Sequence, residues 1–317
     1  MLEQGLVRPP KISVITPSYN QGAYIEDTIL SVLGQGYPNL EYIVIDGGST
    51  DDTINVLKKY ENHITHWISE KDNGQGSAIN KGFALATGDI LCWLNSDDMY
   101  LPGTLKYISE RLDISKPEIL IGNCIHIKEG TGIAVGSDVV SDHFRHDILW
   151  CDYILQPSSF WTRKIWQATG TLNEDLYYSF DWDWFIRAKI EKANFKVVER
   201  QLSVYRIHGA HKSSFGGEAR VKELGGIYKK YHLDRGQALY NLLNSTYIRA
   251  GIARRLDNLA YLYTRRSQGL DLASQKKRSM FIESLLSWIG FFGVRFVFPI
   301  LSFRYSTQEI RDAQRML

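Results

Sequence analysis

Cysteine is scarce in this 317-residue chain, which carries only Cys92, Cys124 and Cys151. An odd number of scattered thiols without ligand spacing excludes a disulfide scaffold and a cysteine-built metal site, and it suits a reducing compartment. The opening MLEQGLVRPPK lacks the apolar core of a signal peptide. Internal repeats and low-complexity tracts are missing, and so are the glycine spacings of a Walker loop or a dinucleotide fingerprint. Apolar residues make up 44% and charged residues 23%, a balance that excludes disorder over most of the length. The expectation is a cytoplasmic globular protein.

Charge is unevenly spread. Residues 1–217 carry 20 Lys and Arg against 27 Asp and Glu, whereas residues 218–317 carry 17 against 8. Two regions with different partners follow: an acidic domain over 1–217 and a basic, mostly helical extension over 218–317. In the extension, Lys276, Lys277 and Arg278 precede an apolar stretch, 285–303, of 19 residues. Arg295 in mid-stretch, with Gly290, Gly293 and Pro299, argues against a straight membrane span. The favoured reading of 276–303 is a helix lying on an anionic membrane surface, which would make the protein peripheral to the cytoplasmic face. Burial against the catalytic domain or against a second copy in a homo-oligomer is the competing reading. No recognised motif supports a nucleic-acid partner.

In the first region short β-branched runs alternate with helical periodicity. Strands are expected at Lys11–Thr16, Leu40–Ile45, His63–Ser69 and Ile90–Leu94. Helices are expected at Tyr24–Leu33, from the Ser49/Thr50 cap to about Tyr60, and at Gln75–Ala86. Strict alternation means a mostly parallel α/β sheet flanked by helices. Ligands of such sheets sit outside the carboxyl ends of the strands. Those ends carry Pro17, Ser18 and Asn20; Asp46 before two glycines; Asp72; and Asn95, Ser96, Asp97 and Asp98. Polar, turn-forming residues thus gather on one rim.

Several residue types there suit chemistry. Asp97 and Asp98 at a strand end can hold a hard divalent cation, Mn²⁺ or Mg²⁺, or Asp98 can cap the turn before Pro102. Asp46 can bind a base or ribose, or simply build its turn. Lys81 can meet a phosphate or pair with an acid. Asp181 and Asp183 lie among aromatics in YYSFDWDWFIR. A carboxylate in an apolar setting suits a general base. Trp182 and Trp184 are a sugar-stacking platform or core. His208, His211 and Lys212 on a glycine-containing loop can grip a diphosphate, and one histidine can complete a metal shell.

Taken in order, VITPSYNQGAYIEDTILSVLGQGYPNLEYIVIDGGSTDDT and EKDNGQGSAINKGFALATGDILCWLNSDD resemble glycosyltransferase family 2, inverting enzymes of GT-A fold, over residues 11–215. The resemblance implies a Rossmann-like central sheet and a nucleotide-diphosphate sugar donor. Pro17, Ser18 and Asn20 would line the nucleotide pocket, Asp46 would bind the base or ribose, and Asp72 would contact the nucleotide. Asp97 would be the metal-binding second acid of a DxD motif, with His208 near the metal or diphosphate. Asp181 would be the base, with Arg187 the basic residue downstream. Gln156 lies in QPSSF, similar to the acceptor-side segment of relatives that build bacterial surface polysaccharides, whose acceptors are saccharides or lipid-linked saccharides; Trp182 and Asp183 join that acceptor side. Asn95 stands where the motif has its first acid, and Phe180 where the base motif has Glu. A sugar nucleotidyltransferase and a catalytically idle nucleotide-sugar-binding module are the alternatives. The first would need a basic, glycine-rich phosphate loop, which TPSYNQGAY does not supply.

Overall fold

The computed structural model describes residues 8–130, 133–136, 148, 152–209, 212 and 217–231. The chain divides into two compact units, one of Met1–Phe144 with Ile154–His211 and one of Arg145–Tyr153 with Lys212–Leu317. The basic and apolar segments at 276–303 lie outside the described residues. Among the described residues no helix is long and apolar enough to cross a membrane.

The first unit is built on one nine-stranded sheet. Strand β1 (Ile12–Ser18) is buried at every position, and it pairs in parallel with β2 (Leu40–Asp46) and β4 (Ile90–Trp93). A strand covered on both faces needs apolar side chains on both, which explains the unbroken ISVI run. Strand β3 (His66–Ser69) joins β2 in parallel. It starts three residues later than expected from the sequence, because residues 60–64 close the preceding helix with their own turn. Beyond β4 the sheet becomes mixed. Strand β8 (Ser159–Thr162) is antiparallel to β4 and to β6 (Glu118–Lys128), while β9 (Asn194–Ile207) runs parallel to β6. The two-residue β5 (Met99–Tyr100) pairs antiparallel with β9, and β7 (Ile133–Gly136) forms a hairpin with β6. The order across the sheet is β3-β2-β1-β4-β8-β6-β9-β5, with β7 paired to β6 off that path.

Alternation across the strands separates two cores. Ile12, Val14, Tyr42, Val44, Ile90 and Cys92 share one cluster with residues of α1 (Ile25–Leu33), α2 (Thr53–Tyr60) and α4 (Thr104–Ser109). The opposite face receives α3 (Gln75–Leu85), α5 (Arg163–Thr169) and α6 (Phe180–Ile190). There Phe83, Trp93, Trp161, Trp166 and Trp184 pack as tilted and edge-on rings, with Trp161 and Trp184 centroids 4.8 Å apart. In the second unit α7 (Gly217–Tyr231) buries Leu224, Ile227 and Tyr228.

Helix α2 begins at Thr53, and neither Ser49 nor Thr50 caps it. Ser49 donates its hydroxyl to Asp46 at 2.5 Å, and Thr50 donates its N–H to Asn20 Oδ1 at 2.9 Å. Both residues are used in the rim instead of the helix.

Candidate active site

The carboxyl ends of β1 and β2 are tied together before any ligand is considered. Ser18 is in register with Asp46. Asn20 takes a left-handed backbone (φ 52°), which asparagine tolerates better than most residues. Its N–H donates to Ser49 Oγ at 2.7 Å, and the Gly22 N–H donates to Asp51 at 2.8 Å. Asp46 is fully buried. Its carboxylate accepts from the N–H groups of Gly48 and Ser49 and from the hydroxyls of Ser49 and Ser69. It therefore organises the turn in the manner of an Asx motif. Ser18 Oγ is buried without a protein partner, which leaves a polar atom on this rim for a ligand to satisfy. Asp72 lies against the same turn. A Cβ on Gly47 would stand 3.0 Å from Asp72 Oδ2, so glycine lets the two acidic strand ends approach without displacing that carboxylate. Lys81 pairs with Glu70 at 2.8 Å on the surface, the acid-pairing alternative of its two readings.

The β4 end holds the second group of acids. His208 Nε2 and Asp97 Oδ2 are 3.0 Å apart, with the imidazole nearly fully buried. Asp98 is completely buried. It accepts from the Arg206 N–H at 3.1 Å and from Asn95 Nδ2 at 3.3 Å. Burial first, and the neighbouring Asp97 charge second, push its carboxyl well above the ordinary range. Asp98 thus belongs to the framework, and Asp97 is the acid that faces the imidazole. Ser96, just before them, is also buried. Asn95 accepts from Gln75 Nε2 at 2.8 Å and approaches Gln156 Oε1 at 3.5 Å, while Gln156 donates to the Trp93 carbonyl at 2.8 Å.

Asp181 and Asp183 separate cleanly. Asp183 is fully buried and pairs with Arg187 one helical turn on at 2.8 Å; Arg187 also donates to the carbonyls of Thr169 and Thr171. Asp181 is half-buried in the first turn of α6 and accepts from the Trp182 N–H. Trp182 is 2% exposed and lies within the core of the two readings open to it. Lys212 belongs to the second unit.

The sequence reading passed over Tyr24, Asp27, Gln75 and Arg206. Arg206 donates to the Asp97 carbonyl at 3.1 Å and to Asp27 at 2.8 Å. The signal for it was strand alternation, which puts residue 206 on the same side of β9 as His208. Tyr24 had no such signal, because only the fold brings it to His208.

Among the described residues no three acid, histidine or cysteine side chains form a cluster fit for a metal. One carboxylate oxygen and one imidazole nitrogen at hydrogen-bond distance do form a partial set. It suits Mn²⁺ or Mg²⁺ when substrate phosphates and water supply the remaining ligands.

A parallel sheet whose strand-end acids gather on one rim, continued by a mixed half that returns a histidine to them, is the GT-A glycosyltransferase architecture. The mannosyltransferase PcManGT from Pyrobaculum calidifontis, solved with GDP-Man and Mn²⁺, superposes over 96% of this chain and 88% of its own at TM-score 0.58 and 15% identity. Residues 13–167 match the model of glycosyl transferase family 2, and the chain carries a domain of that family. An uncharacterized glycosyltransferase of Nostoc sp., alr2836, is 27% identical over 80% of this chain and 82% of its own. TuaG of Bacillus subtilis, a putative teichuronic acid biosynthesis glycosyltransferase by name, is 40% identical over 32% of this chain and 43% of its own, so this match spans less than half of TuaG.

Proposed function

We propose that the protein transfers a sugar with inversion from a nucleotide-diphosphate sugar to an acceptor hydroxyl, with Asp181 as the base. The observation that carries the reading is the difference between the two aspartates of α6. Asp183 is locked to Arg187 in the core, whereas Asp181 sits half-buried at the helix start. A single-displacement inversion needs one base, which takes the acceptor proton as its oxygen attacks the anomeric carbon and the diphosphate departs. Pro17, Ser18, Asn20, Asp46 and Asp72 would frame the nucleotide, Asp46 largely by holding its turn. Asp97 and His208 would hold a divalent cation, which when bound would offset charge on the leaving diphosphate. Gln156 and the segment around Asp181 would face the acceptor.

The name of TuaG supports a surface polysaccharide as the product, with a saccharide or lipid-linked saccharide acceptor. A peripheral place on the cytoplasmic face of the membrane, through 276–303, would suit a lipid-linked acceptor. A panel of UDP, GDP, dTDP and CMP sugars with Mn²⁺ in thermal shift identifies the donor, because a specific donor raises the melting temperature by mass action. With that donor, Asp181→Asn should leave donor binding intact and lower turnover about 10²–10⁴-fold. Near-normal turnover in this variant would remove Asp181 from the role.

A further inference from the structure

The imidazole of His208 is held by more than its contact with Asp97. The Tyr24 ring lies against it, with centroids 4.4 Å apart and planes tilted by 33°. The Tyr24 hydroxyl donates to Glu129 Oε2 at 3.1 Å, in the turn after β6. Arg206, two residues before His208 on β9, places its guanidinium 5.2 Å from the centre of the same ring. The same guanidinium donates to the Asp97 carbonyl and to Asp27, and lies against Met99 Sδ. Tyr24 stands immediately before α1, so this ring joins the β1–α1 loop to the end of β9. A histidine ring rotates about two side-chain torsions. A hydrogen bond at one nitrogen fixes where that atom points, and a stacked ring fixes the plane.

We propose that Tyr24 is a positioning residue, setting the plane of His208 so that Nε2 presents to the site shared with Asp97. The proposal deepens the reading of Asp97 and His208 as the cation and diphosphate end of the site. Packing by the ring supplies the effect, and the hydroxyl fixes the ring.

The test uses the full chain and Mn²⁺ titrated by calorimetry in the presence of UDP. The proteins are the native chain, Tyr24→Leu, Tyr24→Phe, His208→Ala and the double variant Tyr24→Leu/His208→Ala. Tyr24→Leu should weaken Mn²⁺ binding about three- to tenfold, short of the roughly 10–100-fold seen when a hydrogen-bond partner of a metal ligand is lost, because only a ring contact is removed. Tyr24→Phe should stay within about twofold, because the ring contact remains. In the His208→Ala background the Tyr24→Leu effect should vanish, since no imidazole is left to orient. Equal weakening in both backgrounds overturns the proposal.

A second measurement is the His208 imidazole proton resonance of the ligand-free protein, assigned with His208→Ala. Tyr24→Leu should shift it by removing the ring current, and Tyr24→Phe should not. An unmoved resonance in Tyr24→Leu also overturns the proposal. Tyr24 is half-buried, so leucine is expected to fold there, and Tyr24→Gln gives the same readouts if it does not. If the native chain takes up no Mn²⁺, the cation reading falls while the resonance still decides the role of Tyr24.

Discussion

Restoring the missing acid of the DxD motif should harm this protein. Motif reasoning says that Asn95→Asp adds a metal ligand and tightens Mn²⁺ binding. The hydrogen bonds say otherwise. The Trp93 carbonyl can only accept, so Gln156 must turn its amide nitrogen toward it and its oxygen toward Asn95. Asn95 must then present its own nitrogen to Gln156 and Asp98, and its oxygen to Gln75. An aspartate would set an oxygen 3.3 Å from the Asp98 carboxyl and 3.5 Å from the Gln156 oxygen, with no donor between them. Two full charges at that separation would repel by about 5 kcal/mol at an effective dielectric near 20. A proton shared by the two carboxyls, which the burial of Asp98 favours, removes most of that and supplies a donor between them. What remains is the loss of the amide donor to the Gln156 oxygen, about 1–3 kcal/mol. For a domain of this size that is a fall of roughly 2–12 °C in melting temperature. Differential scanning fluorimetry with and without Mn²⁺ reads both quantities. Asn95→Asp/Asp98→Asn should recover part of the loss, because the exchange restores one amide donor facing one carboxylate acceptor, with the two roles reversed. A single variant that melts with the native chain and binds Mn²⁺ more tightly would refute the reasoning.

Other perturbations separate framework from chemistry. Asp183→Asn should cost about 3–5 kcal/mol, because it strands the Arg187 guanidinium beside the core. Asp181→Asn should change chemical denaturation little, and a reversed order would mean the two aspartates have been given the wrong roles. Gly82→Ala puts a Cβ 2.5 Å from Ile15 Cγ2, where α3 crosses β1, and should destabilise by about 1–3 kcal/mol through overpacking. Melting curves at neutral pH check it. Burial raises the Glu41 carboxyl, but hydrogen bonds from Lys11, Ser13 and Thr87 outweigh this and bring it down to about 2 from an ordinary 4.5. Its folded value is depressed, so its stabilisation is complete above about pH 4.5 and is lost as pH falls toward about 2. The stability gap between the native chain and Glu41→Gln should therefore narrow over that window, and a gap independent of pH would contradict the assignment.

The parallel half of the sheet was readable because each strand is a short apolar run ending in glycine or a polar turn, and each helix follows within a few residues. The antiparallel returns were not. Strand β5 has two residues, and β9 is paired to elements roughly a hundred positions earlier, which periodicity cannot register. The strand-end acids were legible as a group, but their division of labour was not. Asp46 and Asp98 look like ligand-binding acids in sequence, yet their oxygens are occupied by backbone donors and neighbouring side chains in the fold. Trp182 carried two readings because its burial comes from tertiary packing that the neighbouring sequence does not record.

The pairing of β5 with β9 explains how the two ends of the site meet. Met99 faces Val204 and Tyr100 faces Ser203. Antiparallel partners change by one residue in opposite directions, so the same register carried back two positions sets Asp97 opposite Arg206. There side-chain contacts take over from the ladder: the Arg206 guanidinium donates to the Asp97 carbonyl and the Arg206 N–H donates to the Asp98 carboxyl. His208 lies two residues beyond Arg206, just past the end of β9, with Nε2 3.0 Å from the Asp97 carboxylate. A strand of two residues would be marginal alone. It holds because Leu101 N–H donates to the Leu202 carbonyl and Thr104 caps the same oxygen through its hydroxyl. The geometry of the acid and imidazole therefore depends on a backbone ladder several residues away from them, which is why the spacing of DxD and HxxH in sequence could never have predicted their 3.0 Å approach.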